Sequence, residues 1–392
     1  MKTRGKIRII APLAILMSVT GWAQNPTPLK HPEIVNVGYM SQTGATTKFT
    51  SVNKLTPDGN AATKQQRVNS VPNFMSSFTF GGTTYPYTMV GDDPKHGGST
   101  HVPTSLVTIQ LFFDEYADQN GNNIVIDALT VAPQFLSGPN FETAAYGTGT
   151  TQFSDSVQRA EFFNVMKPGW HTLINRPRML PSVQIEVPFG LSLVFQAGQG
   201  GPFFALIDDG FFVSQLNTIL QFEPFQVNEL ALVLTRNALF YQGGDPNNCC
   251  VLGFHTAFDT AVHGNRHDVQ TFATASWVDA GIFADPGRAD VNFISHEITE
   301  WMNDPFVNNV VPSWQAPGSN PPVCQSILET GDPLEFFATD SFPVTVDGFT
   351  YHPQVEALLE WFERQVPSTA FQGAYSYPDT TLLTAPLACP GT

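Results

Sequence analysis

Short apolar runs cut by Gly and Pro dominate this 392-residue chain, which carries 31 of each breaker. From Phe74 on they read FMSSFTF, TTYPYTMV, SLVTIQLFF and NNIVIDALTV. Runs of this length, rich in β-branched and aromatic residues and bounded by turn formers, fold as strands and hairpins. Composition removes the competing classes. Charged residues are 13% of the chain, about half the usual ~25%, and there are 32 Phe. A disordered chain has few aromatics and many charges. A coiled coil is rich in Ala, Glu, Lys and Leu and poor in Pro. The net charge of −16 excludes a binder that tracks nucleic-acid phosphates, which needs a basic face.

Residues 1–23 have the three parts of a secretory signal. Lys2, Arg4, Lys6 and Arg8 form a basic start, Ile9 to Val19 an apolar core, and Gly21 and Ala23 small residues before a cleavage point at Gln24. The apolar run falls short of the ~20 residues that span a bilayer. The expectation is a secreted or periplasmic protein with no membrane span. Export permits disulfides. Four cysteines, Cys249, Cys250, Cys324 and Cys389, allow three pairings. A bond between neighbours is disfavoured, so Cys249 or Cys250 is expected to join Cys324 or Cys389. No CxxC spacing supports a thiolate metal site.

The organisation expected is a signal peptide at 1–23, a polar arm or linker at 24–70, a β-rich N-terminal region at 71–135 and an α+β domain at 136–392. The sequence DQNG at 118–121 reads as a hairpin turn. Helical spacing predicts helices over 153–166, with Ser154 and Asp155 as candidate caps, and over 209–222. Strands are expected at 229–242, 250–258 and 269–280. A last helix is expected from PQVEALLEWFERQV at 353–366, with Val355, Leu358, Leu359 and Phe362 on one side.

Residues 288–305, RADVNFISHEITEWMNDP, carry the chemistry. Val291, Ile294, Ile298 and Met302 make an apolar helical face, and Pro305 ends the helix. His296 and Glu300 are four apart, so both leave the same face one turn from each other. That spacing presents two ligands to one divalent cation. Glu297 lies beside them and could act as general base toward a water activated by the ion. This is the logic of the HExxH zinc helix with Glu in place of the second His. On an ordinary surface helix the same pattern would be a solvated acidic face with one His. Two features weigh against that: the helix is otherwise apolar, and Glu329 and Asp332 follow in LETGDP. Either could supply the third ligand that zinc needs, while the other held the second ring nitrogen of His296. A plain polar turn before Pro333 is the bland alternative.

SHEITEWMNDP with ETGDP downstream resembles secreted proteins that carry a HExxExxxDP helix followed by an E-x-x-D element. These include bacterial relatives of the exordium (phosphate-induced) family and, more broadly, the gluzincin branch of zincin-like metallopeptidases. The resemblance covers roughly residues 228–335 and is specific at His296, Glu297, Glu300, Asp304, Pro305, Glu329 and Asp332. It implies a zincin-like domain with a mixed sheet, in which the strand FATASWVDA edges the substrate cleft. It also implies zinc as cofactor and a peptide or protein as substrate. Glu300 departs from the well-characterised peptidases: two carboxylate ligands neutralise the zinc charge and weaken it as a Lewis acid.

The remaining histidines read as structural. His263 and His267 flank a Gly-Asn loop, His255 suits a core or hydrogen-bonded place in a strand, and His171 packs beside Trp170. His352, at the start of the last expected helix, is a candidate donor to a developing oxyanion. No GxSxG, phosphate loop or dinucleotide fingerprint is present. Two functions remain: a zinc-dependent metallopeptidase-like protein, or a secreted non-catalytic binding or surface protein with a structural or relic metal site.

Overall fold

The breaker-punctuated runs become a mixed α+β fold with many short strands, seen in a computed structural model that describes residues 67–118, 120–263 and 266–391 and the short strands Ile7–Arg8 and Glu33–Ile34. The signal-peptide and linker readings otherwise lie outside the described residues. The largest sheet is built on a central strand, Thr104–Ala117. This strand pairs in parallel with Leu230–Arg236, which pairs in parallel with Arg266–Trp277. Gly253–His263 closes that side antiparallel to Arg266–Trp277. The sheet thus joins strands from both sides of residue 135. The LALVLT run of the inner strand is buried throughout, as expected where both faces of a parallel strand are covered.

Residues 229–242 form two strands where one was expected. Leu230–Arg236 belongs to the large sheet, and Ala238–Tyr241 pairs with Phe203–Asp208 and Asn248–Val251 in a second sheet. The break is Asn237, whose φ of 49° is left-handed, a conformation Asn tolerates better than most residues. Its side chain fixes the corner by donating to the Phe203 carbonyl at 3.0 Å and to Asp279 at 2.8 Å. FATASWVDA begins within the strand Arg266–Trp277. Its strand lies between Leu230–Arg236 and Gly253–His263, and the latter is the edge strand.

The expected helices at 153–166 and 209–222 form as Phe153–Glu161 and Asp209–Phe222. The first is capped by Gln152, without a side-chain bond. Asp155 instead accepts the Thr172 amide and pairs with His171 Nδ1 at 2.8 Å, tying the helix to a neighbouring strand. Residues 353–366 do not make the expected helix. Glu356–Ala357 pairs with Ser376–Tyr377, and only Leu359–Phe362 is helical. Distant carbonyls take the amides a helix would use: Val355 donates to Asp340, Ala357 to Thr330 and Leu358 to Tyr375. The apolar residues are buried as their pattern implied, but by tertiary contacts.

Cys324 is bonded to Cys389, with Cα atoms 5.8 Å apart. This corrects the expected pairing: Cys249 and Cys250 are joined to each other across a cis peptide that sets their Cα atoms 3.0 Å apart. Among the described residues no helix is long and apolar enough to cross a membrane.

Candidate metal centre

The HExxE helix spans Asn292–Asn303, and all twelve of its residues are buried. Val291, Ile294, Ile298 and Met302 enter one large core cluster with Leu232, Ala273 and Ala275 of the sheet. That apolar stripe seats the helix against the sheet and the edge strand. At its start Asp290 accepts the Val291 amide, and at its end Asp304 accepts the amides of Asn308 and Asn309. The polar residues on its far side are satisfied in part by neighbours: Thr299 meets Ser154 at 2.8 Å, and Ser295 accepts the Gln354 amide.

His296, Glu297, Glu300, Glu329 and Asp332 are each no more than 1% exposed, and the fold brings them together. Around His296 Nε2 stand Glu300 Oε2 at 3.0 Å, Asp332 Oδ1 at 3.7 Å and Glu297 Oε1 at 4.0 Å. Asp332 therefore approaches the same nitrogen as Glu300, not the second ring nitrogen. Gly331 lies on the Nδ1 side. A Cβ there would fall 2.2 Å from Nδ1, so glycine is required by space although its φ of −83° suits any residue. Gly331 also donates its amide to Glu300 Oε1 at 3.0 Å, and Gln325 donates to Asp332.

His255 completes the cluster from the edge strand; it is buried and hydrogen-bonded as expected, but its partners are the acids of this cluster. Its Nδ1 lies 3.3 Å from Glu297 Oε2 and 3.6 Å from Glu300 Oε2. Its Nε2 meets the Asp304 carbonyl at 3.2 Å and Glu329 Oε2 at 3.8 Å. Gly253, two residues earlier and on the same strand face, makes room for Glu297, whose Cγ lies 2.7 Å from where a Cβ would sit. A Gly-x-His pair on a strand near a HExxE helix is the sequence signal that could have found His255. Glu356 and Glu335 had no such signal, Glu356 having been read as part of a helix. His263 and His267 fall at the tip of the edge hairpin, where side chains lie outside the described residues. His352 is in no helix. Its Nδ1 pairs with Asp290 at 2.7 Å.

The electrostatics follow from burial set against close partners. Burial alone would lower His296, but the carboxylates of Glu300, Glu297 and Glu356 more than offset it and hold it well above the usual histidine range. Burial would raise Glu300, yet His296 and His255 hold it below the usual carboxylate range. Burial raises Glu297 despite its bond from His255. Asp332 is pushed well up by burial, with Glu335 and Glu300 adding to it. Burial pushes Asp304 up to about 7 against the amide bonds it accepts.

These residues could hold a metal ion. Ligand atoms of His296, Glu297 and Glu300, of His255, Glu300 and Glu329, and of His296, Asp332 and Glu335 each lie within 4.8 Å of one another. Ligands around one zinc sit roughly 3–4 Å apart, given metal–ligand bonds of about 2 Å. Glu297 Oε1 and Asp332 Oδ1 are buried with no hydrogen-bond partner, and both face His296 Nε2. Buried polar atoms are nearly always bonded, and two that face one imidazole nitrogen without partners fit a cation among them. No family model, no curated protein and no solved structure matches this chain.

Proposed function

We propose that the protein is a secreted zinc-dependent hydrolase of the metallopeptidase type, built on a zincin-like domain and acting on peptide bonds. The observation that carries this reading is the convergence of unpartnered buried atoms on His296 Nε2, one helical turn from Glu300 and beside a third, non-ligating carboxylate. His296 and Glu300 would hold the zinc, with Glu329 or Asp332 as third protein ligand. When bound, zinc supplies Lewis-acid polarisation and makes a water easier to deprotonate. The rest falls to the chain. His255 fixes one oxygen of Glu297 and leaves Oε1 unbonded on the His296 side. From there Glu297 takes a proton from the attacking water and delivers it to the leaving amine. Secretion rests on residues 1–23, and the Cys324–Cys389 bond is in keeping with an oxidising setting.

A second reading rests on burial. Every candidate ligand is at most 1% exposed, and a structural zinc site is closed by protein ligands where a catalytic one keeps a position open. In that reading the ion staples the edge strand, the helix and the 325–335 segment of a non-catalytic binding protein. A protein-cleavage screen of zinc-loaded protein, with Glu297→Gln as the blank, separates the two. The hydrolase reading expects cleavage by the wild type alone. Equal cleavage by both proteins, or none by either, removes it.

A further inference from the structure

Resting on the reading that this cluster is a metal centre, we propose that it holds two divalent cations bridged by Glu300. The ligand atoms form two seats. His255 and Glu329 make one with Glu300, and His296, Asp332 and Glu335 make the other. Glu300 Oε2 stands between the two imidazoles, 3.0 Å from His296 Nε2 and 3.6 Å from His255 Nδ1. A carboxylate oxygen placed so can reach an ion on either side, and its partner oxygen is held by the Gly331 amide. The unpartnered Oε1 of Glu297 faces the His296 seat and its Oε2 is held by His255, so the base stands beside both seats.

Charge points the same way. Glu297, Glu300, Asp304, Glu329, Asp332 and Glu356 are all at most 1% exposed and surround two histidines. An isolated buried charge is costly unless an opposite charge faces it. A dication in each seat favours the charged form of the carboxyls around it, which burial alone disfavours. One imidazole with several carboxylates per seat suits zinc, manganese or iron(II) rather than copper or calcium. Paired ions about 3.5–4 Å apart clamp both the attacking and the leaving oxygen of a hydrolysed ester or amide.

The test uses manganese(II) as probe on the full secreted chain. The protein is stripped, loaded with manganese, freed of excess metal and measured by elemental analysis and electron paramagnetic resonance. The expected result is two ions per chain with an exchange-coupled spectrum. His255→Ala should drop to one ion with the six-line spectrum of an isolated site. Should that variant fail to fold, His255→Gln takes its place, and wild-type stoichiometry decides alone. One ion in the wild type overturns the pair yet leaves a metal centre standing. Two uncoupled ions overturn the Glu300 bridge. No bound manganese or zinc overturns the pair together with the metal-centre reading beneath it.

Discussion

Two regions of this protein bury carboxyl groups, and only one of them holds a carboxyl below its usual range. Around the HExxE helix, two imidazoles face the acids, and Glu300 is held below the usual carboxylate range although it is fully buried. Near the C-terminal segment, Glu161 and Glu360 are buried with no imidazole among the groups that shift them. There burial, reinforced by Glu360, raises Glu161 well above the usual range, and burial does the same to Glu360. Burial alone keeps a carboxyl neutral. Burial beside cationic groups keeps it charged, and a charged buried carboxylate is what a metal ion needs. Buried acid by itself is therefore no sign of a metal site. The sign is the imidazole that faces the acids, since Glu161 and Glu360 also bury oxygens without partners.

The contrast can be broken at several strengths. The largest effect is expected on catalysis. Glu297→Gln should cut peptide hydrolysis by about 10²–10⁴-fold while bound zinc is unchanged, whereas Glu360→Gln should leave hydrolysis alone. Steady-state rates and metal content on the same preparations check both. Next comes the cation seat. His296→Ala removes an imidazole from among buried carboxylates, a change worth about 3–5 kcal/mol when one partner of a buried pair is lost. Denaturant unfolding should show that loss, with chelator destabilising the wild type and not the variant.

A smaller effect is expected at Gly331. Its Cβ would meet His296 Nδ1 at 2.2 Å, and overpacking of this kind costs about 1–3 kcal/mol. Gly331→Ala should lower the unfolding midpoint and weaken zinc binding together. Unchanged zinc affinity would mean that the ring is not a ligand in this orientation. The smallest effect concerns pH in the C-terminal region. Burial pushes Glu363 up to about 7, from 4.5. A carboxyl raised in the folded state contributes stability that is fully present below the unfolded value and is lost as pH rises through the folded one. Thermal stability should therefore fall between about pH 4.5 and 7, and further where Glu161 ionises. Glu161→Gln should flatten the fall at the alkaline end. A melting series in matched buffers, with and without the substitution, reads it out.

What was legible in the sequence follows the range of the interactions. The HExxE helix was legible because its apolar spacing and its chemistry are local: Val291, Ile294, Ile298 and Met302 all reach one core. The strands were legible as runs, but not their partition between sheets. That turned on a left-handed Asn237, which local propensity does not reveal. The C-terminal helix failed because distant carbonyls claimed its amides, so a helical apolar pattern was buried without a helix. His255 was read as structural for a similar reason. It lies 42 positions from Glu297, and only antiparallel pairing of the edge strand carries it to the site. Glu329 and Asp332 were found as acids near a motif. Which nitrogen each approaches was set by the turn at Gly331, beyond the reach of spacing.

The central claim is that the imidazole-faced acid cluster, and not the acid-only one, is a metal centre. Elemental analysis of the purified chain tests it most directly, run on wild type, His296→Ala and Glu161→Gln after dialysis against trace zinc. The account predicts stoichiometric zinc in the wild type and in Glu161→Gln, and its loss in His296→Ala. Negligible zinc in the wild type, or equal zinc in wild type and His296→Ala, would contradict it.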